Sequence, residues 1–143
     1  MDYEILVAEI ENDPEALGIT AILAGGLSES EKNTAIAALL NAVDRVHDLE
    51  TVTGQQIFEA IVPAELNALT IDQKTVLFGI IGMGTIRING TNTRAALAGM
   101  FSAGPTRTAL QALQTDTISR AIELGLGVVT DGHVHSARLR IGA

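Results

Sequence analysis

Cysteine and tryptophan are both missing from this 143-residue chain, and aromatic side chains make up only 3% of it. Without a thiol there is no disulfide, no thiolate zinc or iron–sulfur site and no cysteine nucleophile. So few aromatics also leave little on which nucleic-acid bases would stack. Charge is scarce: Asp, Glu, Lys and Arg total 18%, against about 25% in an average soluble domain. The surface therefore carries few solubilising groups, and part of it is expected to meet another protein. Long apolar runs are lacking too. Ala35 to Leu40 is among the longest, far short of a bilayer, and Met1-Asp2-Tyr3-Glu4 puts acids where a secretory leader needs a basic region. These absences lead to the expectation of a soluble chain without membrane or targeting segment.

What is abundant is aliphatic. Hydrophobic residues reach 47%, with 20 alanines, so the chain is expected to fold, and its length suits a single helical domain over 1–143. Apolar positions recur at helical spacing, as in Tyr3, Leu6, Val7 and Ile10 before Asp13-Pro14, and in Ile36, Leu39, Leu40 and Val43. Helix starts are marked by Ser28 with Glu31, Thr53 with Gln56, and Thr70 with Gln73, each a capping-box spacing. Pro63 suits a first turn, and Gly82 or Gly84 should stop the helix from Thr70. Asn89-Gly90 is the best turn signal, and Thr85-Ile86-Arg87-Ile88 is the one stretch that could be a strand, with no evident partner. Helices are further expected from Thr91 or Asn92 to Phe101, from Thr106 through Leu113, from Thr117 to Leu124, and from Thr130 to near Gly142. The reading is all-α: a compact orthogonal or irregular bundle of about seven short helices, with no internal repeat. Close packing of so many alanines disfavours a roomy ligand cavity.

Charge is unevenly spread along the chain. Residues 1–86 hold fourteen acids against Lys32, Arg45 and Lys74, whereas residues 87–143 hold six arginines against three acids. Two explanations stand. In the first, the fold simply intermixes the halves, since net charge informs association rather than fold. Alternatively, an acidic flank and a basic flank pair between copies, a head-to-tail contact that closes into rings. On that second reading Arg107, Arg120, Arg138 and Arg140 are the interface candidates, because arginine forks are favoured donors at interfaces.

Motifs for chemistry are weak. Gly79-Ile80-Ile81-Gly82-Met83-Gly84 matches neither a dinucleotide fingerprint nor a P-loop, and its glycines more simply end a helix. His133 and His135 diverge on a helix, so a metal would need Asp131, His47 or Asp48 to converge by folding. Ser119 and Ser136 lack a nucleophile elbow or triad spacing. No catalytic, cofactor or metal residue is assigned, and no enzyme activity is expected. Arg138 and Arg140 beside the two histidines are the only hint of nucleic-acid contact, in a chain acidic as a whole.

Several ordered stretches resemble a family of small proteins from tailed bacteriophages. They are Met1-Asp2-Tyr3-Glu4 with Ala8-Glu9-Ile10 and Asp13-Pro14, Thr53-Gly54-Gln55-Gln56-Ile57-Phe58, Ala103-Gly104-Pro105-Thr106-Arg107-Thr108-Ala109-Leu110, Ser119-Arg120-Ala121-Ile122-Glu123-Leu124-Gly125-Leu126-Gly127, Gly132-His133-Val134 and Ala137-Arg138. Between Gly82 and Asn92 the chain departs from the family, which is more polar there and often carries an Ile-Asp-Pro turn. The resemblance implies a virion or morphogenesis protein, a head-to-tail connector or neck subunit that forms a homo-oligomer and bridges portal, neck or tail components. It further implies location in the virion, and in the host cytoplasm during assembly. The alternative is a phage accessory or regulatory protein that binds nucleic acid or another protein.

Overall fold

The structure, a computed structural model, describes residues 1–143. Its order is α1 (Tyr3–Asn12), α2 (Ile19–Ala24), α3 (Glu29–Asn41), β1 (Val43–Asp48), β2 (Thr51–Thr53), α4 (Gly54–Ala60), α5 (Pro63–Ala68), α6 (Ile71–Gly82), β3 (Thr85–Arg87), α7 (Thr91–Met100), α8 (Pro105–Ala112), β4 (Thr115–Ser119), α9 (Arg120–Glu123) and α10 (Asp131–Arg138). The chain is thus mainly helical but not all-α, with ten helices rather than about seven. The chain divides into two compact units, residues 1–45 with 117–143 and residues 46–116. Each has its own apolar core. β1 leads out of the first unit, β4 leads back, and the two strands pair.

In the first unit, Asp2 caps α1 by accepting from the Glu4 and Ile5 amides at 3.1 and 3.3 Å, so Leu6 and Ile10 enter the core in register. The helix stops at Asp13, which is left-handed at φ 40°. The Asp13 carboxylate accepts from the amides of Leu17 at 2.8 Å and Gly18 at 3.1 Å, turning the chain into α2. α3 opens on the Ser28–Glu31 capping box and buries Ile36 and Leu40. α10 packs on both α1 and α3. At the end of α3 the Asn41 amide group donates to the Val129 carbonyl at 2.6 Å and accepts from its N–H at 3.0 Å, satisfying a loop that would otherwise bury unpaired backbone.

In the second unit, β2 and β3 run antiparallel with Val52 opposite Ile86, both buried. Thr53 caps α4 and Thr70 caps α6, each with a reciprocal glutamine. Gly54 lets α4 start directly on α6: a Cβ there would lie 2.1 Å from the Ile81 carbonyl oxygen. The Glu65 carboxylate caps α8, accepting from Thr106 N at 2.9 Å and from its hydroxyl, which in turn accepts from Val62 N at 2.9 Å. Gly104 at φ 93° makes room for that carboxylate.

Three expectations are corrected. Thr85–Ile88 does have a partner, since β3 pairs with β2. The stretch from Thr117 is strand to Ser119 and helical only from Arg120 to Glu123. Val43, expected to close the core stripe of α3, is exposed in β1. β1 and most of β4 are open to solvent, so burial imposes no alternating pattern on them.

Candidate functional site

Of the four arginines singled out by charge, Arg120, Arg138 and Arg140 belong to the first unit and Arg107 to the second. Arg120 begins α9 with its side chain 11% exposed and forks onto Glu9, which is 3% exposed. Nε meets Oε1 at 2.8 Å and Nη2 meets Oε2 at 2.9 Å, the bidentate geometry of a strong charge-assisted pair. The network continues: Arg120 Nη1 donates to Glu123 at 2.8 Å, Arg45 Nε to the same carboxylate at 2.7 Å, and Arg45 Nη2 to Glu15 at 3.1 Å. The Glu9 hydrogen bonds raise the proton affinity of Arg120 against the opposing cost of burial. Arg120, then Arg45, holds the Glu123 carboxyl below its usual range.

Arg138 is engaged in the same unit, donating to Asn33 Oδ1 at 2.7 Å and to the Glu29 carboxylate. Arg138 first, then Lys32, lowers the Glu29 carboxyl from its usual range. Arg140 lies over the Tyr3 ring, its guanidinium carbon 4.1 Å from the centroid, a cation–π contact. Arg107 stands in the second unit with no ion pair. Folding therefore mixes the acidic and basic halves of the sequence. The first unit holds eleven acids and five bases and the second six and four, leaving net charges of −6 and −2.

The other candidates serve the fold. His133 occupies the capping-box position of α10: its Nδ1 accepts from Thr130 N at 3.2 Å, and its own amide donates to the Thr130 hydroxyl. His135 is exposed elsewhere on the same helix. No group of three or more His, Cys, Asp or Glu stands close enough to hold a metal. Gly79 and Gly82 belong to α6 and Gly84 forms the turn after it, at φ 78°. Ser119 caps α9 by accepting from Ile122 N at 3.2 Å. No helix is long and apolar enough to cross a membrane.

Two features went unseen in the sequence. The first is the outer face of α6. Leu77 and Ile80 turn inward, so 71, 75, 78, 79 and 82 face outward by helical spacing. Ile71 is 82% exposed, Phe78 48%, and Met83 at the helix end 70%. Asp72 is the one charge among the exposed residues of this helix. The signal was the run from Val76 to Ile81, apolar on more than one face of the helix, which marks a segment with more apolar surface than its own unit covers. The second is a cleft of about 210 Å³ in the second unit, lined by Arg94, Leu97, Phe101, Arg107, Leu110 and Gln111 among others.

Comparison of the chain with family models, with curated proteins and with solved structures finds no match.

Proposed function

We propose that the protein is a non-enzymatic structural subunit of a tailed-phage virion, a head-to-tail connector or neck component that oligomerises and binds other virion proteins. The phage assignment rests on the ordered sequence resemblance. The assembly role rests on one observation, the uncovered apolar face of α6, with Ile71, Phe78 and Met83 exposed and two glycines on the same helix. Apolar surface of this kind is stabilised by removal from water, at roughly 25 cal/mol per Å² before the costs of association. Small residues on such a face allow a partner to approach closely.

The glue is therefore apolar rather than the arginine interface suggested by the charge split, because Arg120 and Arg138 are already paired within their own unit. The buried or half-buried ionisable groups also serve construction: Glu9 and Arg120 tie α1 to α9, and Glu65 caps α8. A nucleic-acid role gains no support from two units that are both acidic.

Light scattering coupled to a sizing column tests this reading. The native protein is expected to run as an oligomer whose mass holds as salt rises, since screening weakens charge pairs and not apolar burial. Phe78→Glu is expected to give a monomer with an unchanged helical spectrum. A monomeric native protein, or an oligomer indifferent to Phe78→Glu, removes the proposal.

A further inference from the structure

The cleft of the second unit is lined by two occurrences of one short pattern, too brief to count as an internal repeat. Thr-Arg-X-Ala-Leu occurs twice, as Thr93-Arg94-Ala95-Ala96-Leu97 in α7 and as Thr106-Arg107-Thr108-Ala109-Leu110 in α8. Both copies line the cleft in the same register, Arg94 and Leu97 from one and Arg107 and Leu110 from the other, and each stripe is continued past its copy, by Ala98 and Phe101 and by Gln111 and Gln114. That is an i, i+3, i+4, i+7 stripe in each case, so each helix offers its arginine one turn before its leucine.

The two stripes make an apolar floor beneath two cations. Leu97, Phe101 and Leu110 are each 5% exposed or less. Arg94 Nε donates to the Ile88 carbonyl at 3.0 Å, which fixes the guanidinium and leaves its terminal nitrogens free. No acid lines the cleft. Among the seven arginines, Arg45, Arg87, Arg120 and Arg138 each hold a carboxylate and Arg140 lies over Tyr3. Arg94 and Arg107 alone lack such a partner, and both line this cleft. In a chain of net charge −8, the two arginines with neither an acid nor an aromatic ring as partner are those a bound anion would meet. The broader hollow of the first unit, lined by Leu23, His135 and Arg138, has its arginine already neutralised by Glu29.

We infer that this cleft binds a compact organic carboxylate, its apolar body resting on Leu97, Phe101 and Leu110 and its charge held between Arg94 and Arg107. Size supports a small body: an apolar cavity of about 150 Å³ holds a benzene ring, and this one is about 210 Å³. Planar guanidinium forks match a carboxylate two bonds at a time. Gln111 and Gln114 add amide donors at the rim. The inference does not depend on the assembly role, which rests on α6.

The test is a titration of the full chain followed by amide NMR, with phenylacetate, N-acetyl-leucine, phenylacetamide and inorganic phosphate as probes. The two carboxylates are expected to saturate, with Kd in the range of about 0.1–10 mM that a ligand of this size permits. Shifts should concentrate at Leu97, Ala98, Gln111 and Gln114. Phenylacetamide, isosteric but neutral, should bind about tenfold more weakly or not at all. Tighter binding of phenylacetate supports a free acid as the natural ligand, and tighter binding of N-acetyl-leucine supports a chain terminus. Arg107→Met, at a position without an ion pair, should abolish the preference for carboxylate over amide while leaving the spectrum folded. Equal affinity for phenylacetamide, phosphate binding as tightly as phenylacetate, or absence of saturable shifts overturns the inference. Should Arg107→Met fail to fold, the carboxylate-to-amide ratio on the native protein still decides it.

Discussion

Glu9 and Arg120 stand 111 residues apart in sequence and meet through two hydrogen bonds of 2.8 and 2.9 Å, both side chains nearly closed to water. The pair ties the first helix to the returning segment of the same unit. Its energetic meaning lies in what happens when one partner goes, because a buried charge left alone must be desolvated without compensation.

Glu9→Ala is therefore expected to destabilise the first unit by about 3 kcal/mol, whereas Glu9→Leu combined with Arg120→Met should recover most of that loss. Urea denaturation followed by circular dichroism measures both. Equal losses in the single and double variants would show that helix packing, and not the ion pair, is what the substitution disturbs.

Acid should act on the first unit before the second. Glu29, Glu31 and Glu123 have carboxyls lowered from 4.5, by Arg138, by the Ser28 side chain and by Arg120 respectively, and all three belong to residues 1–45 with 117–143. A lowered folded-state value means stability present above the unfolded pKa and lost as pH falls through the folded one. Amide exchange in α3 and α9 is expected to accelerate below about pH 4.5, ahead of exchange in α6. Glu123→Gln should flatten that response for α9. Uniform acceleration through both units would contradict it.

Two glycines of the second unit should respond oppositely to alanine. At Gly54 the new Cβ meets backbone of Ile81 at 2.1 Å, so Gly54→Ala is expected to cost about 1–3 kcal/mol. Gly79 sits within α6 with open space around it, so Gly79→Ala should stabilise the fold by about 0.5–1 kcal/mol through helix propensity. Thermal melts of the two variants give the comparison. If the outer face of α6 is an interface, Gly79→Ala should also weaken self-association while raising the melting temperature.

Zinc or EDTA is expected to leave the melting temperature unchanged, since anything that binds the native state alone would raise it. His133 spends Nδ1 on the Thr130 amide. A clear rise with zinc would return His133 and His135 to consideration as ligands.

Helix ends were the most legible part of the fold. The boxes at Ser28, Thr53 and Thr70 are written in two residues each, and all three appear with their reciprocal hydrogen bonds. Core positions such as Ile36 and Leu40 followed from spacing because burial imposes period. Thr85–Arg87 was readable as a strand, whereas β1 and β4 were hidden for the converse reason. Val43, Val46 and Asp48 of β1 are all exposed, so backbone pairing with β4 leaves no apolar signature. Arg120 and Arg138 were visible as charges, yet nothing in sequence tells whether an arginine finds its carboxylate at home or on a neighbour. The cleft's signal, the doubled Thr-Arg-X-Ala-Leu, was readable but short, five residues falling thirteen apart.

The second unit is one unbroken stretch, residues 46–116, whereas the first is completed only by residues 117–143. On a ribosome the middle of the chain is thus the first part able to finish, and the start must wait for the end. Until Arg120 and Arg138 have been made, Glu9 and Glu29 have no guanidinium to hold, and α10 is not there to cover α1 and α3. Nascent residues 1–45 are an acidic, half-clad segment for the whole time the inserted unit is being synthesised. Its net negative charge keeps such a segment soluble and apart from its copies. The order of synthesis therefore gives the acidic first half of the sequence a use before its pairs with Arg120 and Arg138 exist.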